Sequence, residues 1–289
     1  MCLGSLEENP TGFRCVAEGH AFPSTSNLPV FLRPGEESIL ADADAYAAAW
    51  KLSGFAPPTD KLRDLPYTVG AGRRIWAQKA RSLEALLRLL GAGHGRKVVD
   101  AGAGTGWLSY RLTEAGFRCY ATDVSADPEV GLRASAAYDR TPHAFERAIA
   151  TLSRWPVRND SVDVAVCNAS LHYLADIRPA LEESARVLRH DGSFVLMNSP
   201  VHADPTAAVR ASAEFIYRLR APGGPARLLE NHHHFVTADL ERELRSVFAE
   251  VRRHEPAYGA KFRLVRALKG FALRMELASF PIYEAQRPR

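Results

Sequence analysis

The sequence predicts an α/β protein in which helices cover both faces of a parallel sheet. Apolar runs typical of buried strands alternate along residues 95–200 with patterns of helical period, and this alternation favours a doubly wound sheet. The 289 residues are 46% hydrophobic and 24% charged, a composition that supports a folded core and excludes a disordered or fibrous chain. Residues 1–36 predict a small irregular module, and residues 37–90 predict a helical lid or linker.

The predicted elements follow one another in a regular order. Strands are predicted at Gly12–Val16, Leu28–Leu32, Lys97–Ala101, Arg118–Thr122, Val162–Asn168, Ser193–Asn198, Ala249–His254 and Ala278–Tyr283. Helices are predicted at Arg73–Leu90, Trp107–Ala115, Ile177–Leu188, Asp204–Leu219 and Thr237–Phe248. Residues 91–289 are therefore predicted to form one large domain, because strands and helices alternate through most of it.

Charge and cysteine content restrict the class of protein. The formal net charge is only +4, a weak basis for a nucleic-acid partner, although basic residues concentrate in the segment 261–274. Four cysteines are scattered along the chain: Cys2, Cys15, Cys119 and Cys167. They are too few for a disulfide framework. The chain has no apolar run of about 18 residues and no basic and apolar leader, so we expect a cytoplasmic protein outside the membrane. Its oligomeric state stays open.

A glycine-rich turn, DAGAGTG at residues 100–106, leads from the first strand of the sheet into a helix. Glycine permits a tight turn and lets the backbone approach a bound nucleoside, and the helix presents free N–H groups. Asp123 ends the next strand, 17 positions after Gly106. An acid at this place accepts the ribose hydroxyls of a bound nucleoside. The alternative role for Asp123 is a helix cap.

The spacing of the glycines resembles that of class I S-adenosylmethionine-dependent methyltransferases and differs from the Gly-x-Gly-x-x-Gly dinucleotide motif. Three later segments resemble the same family in order: WPVRNDSVDVAV at 155–166, NASLHY at 168–173 and RVLRHDGSF at 186–194. The resemblance implies a Rossmann-like seven-stranded sheet, S-adenosylmethionine as cofactor and a small-molecule acceptor. It also implies that residues 201–236 cap the acceptor pocket.

The resemblance assigns the residues of the cofactor site as well. Asp100 is expected to orient the turn or to bind the methionine amino group. Gly102, Gly104 and Gly106 are expected to line the methionine and ribose. Asp123 is expected to hold the ribose hydroxyls.

Five further positions complete the implied site. Val124 is expected to pack on adenine, and Asn168 to lie beside the methionine moiety. Thr151 and Leu152 stand where the family usually has an Asp-Ala pair, so the threonine hydroxyl is expected to accept from the adenine amino group. His172 is the candidate general base, because an imidazole titrates near neutral pH. The alternative role for His172 is to shape the pocket.

Residues 13–32 resemble the small zinc ribbon that precedes some methyltransferases, including ribosomal-RNA guanine methyltransferases. The candidate ligands are only Cys2, Cys15, Glu18 and His20, and tetrahedral zinc needs four well-placed donors. We therefore expect a degenerate ribbon held by packing. Adjacent histidines at 232–234 point in divergent directions, so they predict a polar loop or cavity wall, and no metal site is expected.

Three other functions stay open. The ribbon and the basic segment 261–274 favour an RNA methyltransferase as the first alternative. A non-catalytic partner subunit with this fold has no need for the intact glycines and Asp123 together. A nicotinamide oxidoreductase is disfavoured by the glycine spacing. We also consider residues 60–80 a candidate lid over the cofactor, through Tyr67, Arg73, Arg74 and Trp76.

Overall fold

The computed structural model describes residues 6–288 except 10, 26, 34, 53–55, 58, 69–72, 220–226, 260–263, 267, 269 and 271–275. Two features singled out from the sequence lie wholly or mostly outside the described residues: Cys2 and the basic segment 261–274. Part of the candidate lid, residues 69–72, also lies outside them.

The amino-terminal module is a regular antiparallel sheet. Its strands, in spatial and chain order, are β1 (Leu6–Asn9), β2 (Gly12–Cys15), β3 (Ala21–Thr25) and β4 (Leu28–Pro29). The module is thus more regular than expected, because backbone hydrogen bonds join its short strands into hairpins. The Cys15 N–H donates to the His20 carbonyl at 2.8 Å in one such turn. The Phe31 N–H donates to the Ile149 carbonyl at 2.8 Å and joins the module to the main domain.

Two helices follow the module, as the sequence predicts. They are α1 (Ser38–Leu52) and α2 (Arg73–Leu90), separated by a 3-10 helix at Thr59–Asp64. The apolar period of α2 buries Leu83 and Leu86 fully against the main sheet. Helix α1 buries small alanines instead, and Lys51 near its end forms an ion pair with Asp127 at 2.8 Å.

A seven-stranded sheet forms the centre of the described chain. The remaining strands are β5 (Lys97–Ala101), β6 (Arg118–Asp123), β7 (Glu146–Ile149), β8 (Val162–Asn168), β9 (Leu188–Met197), β10 (Val201–His202), β11 (Phe235–Val236), β12 (Phe248–His254) and β13 (Ile282–Pro288). All except the short pair β10 and β11 belong to the main sheet, in the order β12-β13-β9-β8-β5-β6-β7. The strand order reverses between β5 and β8. Ligands of open α/β sheets bind at that reversal, outside the carboxyl ends of the strands.

Helices cover both faces of the sheet, which confirms the predicted fold class. Further helices are α3 (Trp107–Glu114), α4 (Arg178–Val187), α5 (Pro205–Leu219), α6 (Arg227–Glu230) and α7 (Thr237–Val247). Leu108 of α3 packs on the same face as α2. Leu181 of α4 and Leu244 of α7 pack on the opposite face. The sheet is therefore buried from both sides, which explains the continuous apolar runs of its parallel strands.

The sheet differs from the prediction at its edges. Strand β7 was not predicted, since its four residues carry too little apolar pattern. The last strand runs over Ile282–Pro288, not Ala278–Tyr283, because its backbone pairs antiparallel with both β12 and β9. The sheet is thus mixed, with parallel pairing only from β9 to β7. Strand β9 begins at Leu188, where it pairs with Val162, instead of Ser193.

The segment 201–236 leaves the sheet and returns to it. Its first and last residues pair as the parallel strands β10 and β11, with Val201 opposite Phe235. Helices α5 and α6 lie between them.

Nowhere in the described residues is there a helix with the length and apolar character needed to span a bilayer.

Candidate active site

The glycine turn leaves β5 with its backbone in the left-handed region. The φ angles of Gly102, Gly104 and Gly106 are 74°, 54° and 73°. A Cβ on Gly102 would lie 2.3 Å from the Cβ of Ser170, and one on Gly106 would lie 2.6 Å from the Phe145 ring. A Cβ on Gly104 would lie 3.5 Å from the Val130 carbonyl oxygen, an ordinary contact distance, so the positive φ of Gly104 is what disfavours a larger residue there. Two glycines thus serve the packing of the turn, and the surroundings of Gly104 are less crowded.

Asp123 lies beside this turn, as predicted. Its Oδ2 accepts a hydrogen bond from the Gly104 N–H at 2.8 Å, and its Oδ1 accepts one from the Ser125 N–H at 2.8 Å. Burial raises the pKa of this carboxyl above its usual value. Each carboxylate oxygen has two lone pairs, so both keep capacity for a ligand hydroxyl. The backbone bonds therefore fix the carboxylate in one orientation without exhausting it.

Asp100 is fully buried at the end of β5. Its Oδ2 accepts from the Ser109 hydroxyl at 2.8 Å, and this bond ties β5 to α3. Its Oδ1 has no hydrogen-bond partner. Burial raises the pKa of Asp100 to about 7. The orphaned oxygen is a free acceptor at the start of the glycine turn.

The other predicted cofactor residues lie at the same edge of the sheet. Val124 follows Asp123 and is half-buried. Leu152 has a methyl carbon 3.3 Å from the position of a Cβ on Gly102, so it borders the turn. The Thr151 hydroxyl lies 3.4 Å from the Ser153 hydroxyl. Asn168 ends β8, and its Oδ1 accepts from the Asn198 amide at 2.8 Å.

His172 lies in a 3-10 helix (Leu171–Tyr173) that follows β8, and its side chain is buried. Its Nδ1 shares a hydrogen bond with the Ser199 hydroxyl at 3.1 Å. The ring centroid lies 4.9 Å from that of His232. Burial lowers the pKa of His172 well below 6.5, and the neighbouring His232 lowers it further. The imidazole is therefore neutral at physiological pH.

An aromatic cluster surrounds His172 on the side of the helices. Its members come from α1, the 3-10 helix, α5 and the loop before β11: Tyr46, Trp50, Tyr173, Phe215 and His232. Their ring centroids lie 5.2 Å apart for Tyr46 and Tyr173, 6.5 Å for Trp50 and Phe215, and 3.9 Å for Phe215 and His232. Burial raises the pKa of Tyr46, and the nearby Asp123 carboxylate adds to the shift. The 3-10 helix of the cluster directly follows Ser170, whose hydroxyl donates to the Ala101 carbonyl at 2.9 Å at the start of the glycine turn.

Sequence reasoning did not assign the α1 part of this cluster. Tyr46 and Trp50 are four residues apart in an alanine-rich helix, so they share one face. That spacing was the available signal. The three adjacent histidines have different partners: His232 stacks on Phe215, His233 is bonded to a backbone carbonyl, and His234 is bonded to His202. They do not all diverge, because the ring centroids of His232 and His234 lie 5.4 Å apart.

The described residues contain no group of three or more His, Cys, Asp or Glu side chains placed to hold a metal. Cys15 is fully buried. Glu18 and His20 lie 3.2 Å apart on the exposed surface of the module. The zinc-ribbon character of this module stays a prediction.

Comparison with known proteins identifies the family. The family model described as a methyltransferase domain matches residues 99–196. The demethylmenaquinone methyltransferase of Mycobacterium tuberculosis is 31% identical over 191 residues, which are 66% of this chain and 74% of that relative. The chain belongs to the S-adenosylmethionine-dependent methyltransferases. Two other relatives are matched over less than two thirds of their length. The demethylmenaquinone methyltransferase of Mycolicibacterium paratuberculosis is 31% identical over 55% of this chain and 62% of that relative. The uncharacterized methyltransferase YcgJ of Bacillus subtilis is 27% identical over 47% of this chain and 51% of that relative.

Solved structures agree on the fold of this methyltransferase. The geranyl diphosphate C-methyltransferase of Streptomyces coelicolor, solved with S-adenosylhomocysteine, aligns with a TM-score of 0.56 at 17% identity over 89% of this chain and 100% of that chain. The YcgJ structure from Bacillus subtilis aligns with a TM-score of 0.52 at 17% identity over 72% of this chain and 99% of that chain. At these identities the likeness concerns the fold alone.

The residues present fit S-adenosylmethionine, the methyl donor of the family. The turn is least crowded at Gly104, where a Cβ would meet only the Val130 carbonyl oxygen at 3.5 Å. Asp123 offers free lone pairs for hydroxyl groups, and Asp100 Oδ1 is a buried acceptor without a partner. These three groups lie at the carboxyl ends of β5 and β6, beside the point where the strand order reverses.

Proposed function

We propose that this methyltransferase transfers a methyl group from S-adenosylmethionine to a small, partly apolar acceptor bound against the aromatic cluster. The observation that carries the proposal is the position of the cluster. Rings from α1, α5 and the 3-10 helix meet around His172. This 3-10 helix directly follows Ser170, whose hydroxyl donates to the Ala101 carbonyl at the start of the glycine turn. Stacked rings and neutral imidazoles favour a planar acceptor over a phosphate backbone.

The cofactor contacts proposed from the sequence are consistent with this arrangement. Asp123 holds the ribose hydroxyls, and Val124, Thr151 and Leu152 border the adenine. Gly102, Gly104 and Gly106 shape the turn around the nucleoside. Asp100 anchors the turn to α3. Asn168 lies beside the methionine moiety, where its amide is held in place by Asn198.

When bound, S-adenosylmethionine supplies a methyl group on a cationic sulfur that departs as a neutral thioether. The protein therefore contributes mainly position and exclusion of water. We assign His172 the removal of the proton that the acceptor loses as its new bond to carbon forms. The Nδ1 of His172 is engaged by Ser199, which leaves Nε2 to take the proton. The neutral ring keeps this nitrogen free at physiological pH.

The RNA methyltransferase alternative gains no specific observation, since the basic segment 261–274 lies mostly outside the described residues. The intact turn and Asp123 continue to disfavour a partner subunit without cofactor. The module keeps the proposed role of a degenerate ribbon at the edge of β7, and residues 201–236 keep that of a cap.

Incubation with S-adenosylmethionine and a panel of planar acceptors tests the proposed function. The panel includes demethylmenaquinone in oxidised and reduced form, because the mycobacterial relatives carry that acceptor in their names. The readouts are release of S-adenosylhomocysteine and the mass of the methylated product. Methylation of unmodified RNA with no turnover of any small acceptor would contradict the proposal.

A matched pair of variants locates the acceptor. Phe215→Ala removes a ring of the cluster, whereas Tyr217→Ala removes a ring of α5 that is 76% exposed. We expect Phe215→Ala to raise the KM for the acceptor roughly tenfold, the upper value for one aromatic contact, and to leave the cofactor Kd unchanged. Tyr217→Ala should change neither quantity. Equal effects of the two variants would show that the cluster is not the acceptor site.

A further inference from the structure

Lys79 of α2 is a half-buried cation with unusual surroundings. Its Nζ lies 4.6 Å from the centroid of the Trp76 ring and 5.9 Å from that of Trp107. Among the residues that the structure describes, no carboxylate comes within ion-pair distance of it. An ammonium group that is partly removed from water without an anion beside it is costly. Burial accordingly lowers the pKa of Lys79 to about 8.

The neighbours of Lys79 place its ammonium group at the cofactor site. Trp107 is the first residue of α3 and directly follows Gly106 of the glycine turn. One turn further along α2, the Ser82 hydroxyl donates to Asn198 at 2.8 Å, and Asn198 donates to Asn168 at the end of β8. The Nζ therefore lies near the crevice between the carboxyl ends of β5 and β8.

The charge of Lys79 also reaches the catalytic side of this crevice. It contributes to the lowered pKa of His172, although burial is the largest cause of that shift. A cation here repels both the sulfonium and the amino group of S-adenosylmethionine. The carboxylate of the methionine moiety is the one anionic group of that cofactor, and only this group complements a lysine at the crevice.

We propose that Lys79 binds the carboxylate of the cofactor's methionine moiety, held by Trp76 and Trp107 at the mouth of the crevice between β5 and β8. The assignment rests on S-adenosylmethionine being the cofactor. The two indole faces fix the lysine chain beside the glycine turn. Lys79 therefore binds the amino-acid part of the cofactor, and Asp123 binds the ribose.

Calorimetric titration with two nucleosides tests this assignment without any turnover. S-adenosylhomocysteine carries the carboxylate, whereas 5′-methylthioadenosine has the same adenosine and thioether but no amino acid. Lys79→Met keeps the packing of the chain and removes the charge. We expect this variant to weaken S-adenosylhomocysteine about 10- to 100-fold, the range for a hydrogen bond to a charged group. Binding of 5′-methylthioadenosine should stay within about twofold.

Two further variants serve as controls. Lys79→Arg keeps a cation at the crevice and should retain most of the affinity for S-adenosylhomocysteine. Arg81→Gln removes an exposed cation of the same helix, where Arg81 pairs with Glu84 at 2.9 Å, and should have no effect. Thermal unfolding of each variant checks that the fold is intact.

Each contrary result overturns the assignment in a recognisable way. Unchanged affinity of Lys79→Met for S-adenosylhomocysteine would mean that Lys79 does not touch the cofactor's carboxylate. Equal weakening of both nucleosides would assign Lys79 to the packing of the nucleoside pocket. Absence of wild-type binding to either nucleoside would contradict the proposed cofactor itself, and the Lys79 assignment with it.

Discussion

Replacement of Asp100 by asparagine should make the protein more stable at alkaline pH. Asp100 is fully buried, and its Oδ1 has no partner to compensate the charge. The ordinary pKa of an aspartate, which applies to the unfolded chain, is 3.8, and burial raises the pKa of Asp100 to about 7 in the folded protein. Between these values the folded chain holds a proton that the unfolded chain has released. The free energy of unfolding of the wild type therefore falls as the pH rises through this window.

The size of the effect follows from the pKa shift. Each pH unit between the two pKa values removes about 1.4 kcal/mol of stability, so the loss from pH 4 to pH 8 is about 4 kcal/mol. Asparagine does not titrate and avoids this loss. It can still accept the hydrogen bond from Ser109. The difference in unfolding free energy between Asp100→Asn and wild type should thus grow by about 4 kcal/mol from pH 4 to pH 8.

Denaturant unfolding of both proteins at four or five pH values measures this difference. Subtraction of the two curves cancels the other titrating groups, as long as both proteins unfold in one step. A pH-independent difference would refute the burial argument, because it would mean that Asp100 titrates in the folded protein as it does in water.

Two further changes test the site. Asp123→Ala removes two charge-assisted acceptors for the ribose and should weaken the binding of S-adenosylhomocysteine by at least about 100-fold. Thermal unfolding checks that the variant is folded. Unchanged affinity in a folded variant would contradict the ribose assignment. His232 is 3% exposed, and burial lowers its pKa from 6.5 to about 3. As the pH falls, this histidine is therefore protonated in the unfolded chain before it is protonated in the folded protein. The wild type should therefore lose about 2 kcal/mol more stability than His232→Gln between pH 7 and pH 5; equal losses in denaturant unfolding would show that His232 is solvated.

The parts of the fold that sequence predicts are those with a local signal. The central parallel strands have continuous apolar runs. The turn from Gly102 to Gly106 needs positive φ angles, which glycine adopts readily. Both lie where predicted, and Asp123 stands beside the turn. Strand β13 is different, because its boundaries depend on pairing with β12 and β9. Such pairing joins segments far apart in sequence and leaves no local pattern.

The missing parts of the site have the same cause. Tyr46, Tyr173, Phe215 and His232 come from four separate segments, and only the packing of α1, α5 and the loop before β11 around the 3-10 helix brings them together. In the sequence, the position of Lys79 is typical of a surface residue of an amphipathic helix. In the structure, its ammonium group lies over the rings of Trp76 and Trp107. Long-range packing decides these positions.

Calorimetric titration of the wild-type protein with S-adenosylmethionine, S-adenosylhomocysteine and NADH tests the central claim most directly. Micromolar binding of the two sulfur nucleosides, with none of NADH, is the predicted result. Binding of NADH alone, or of none of the three, would contradict the assignment of the glycine turn and Asp123 to S-adenosylmethionine.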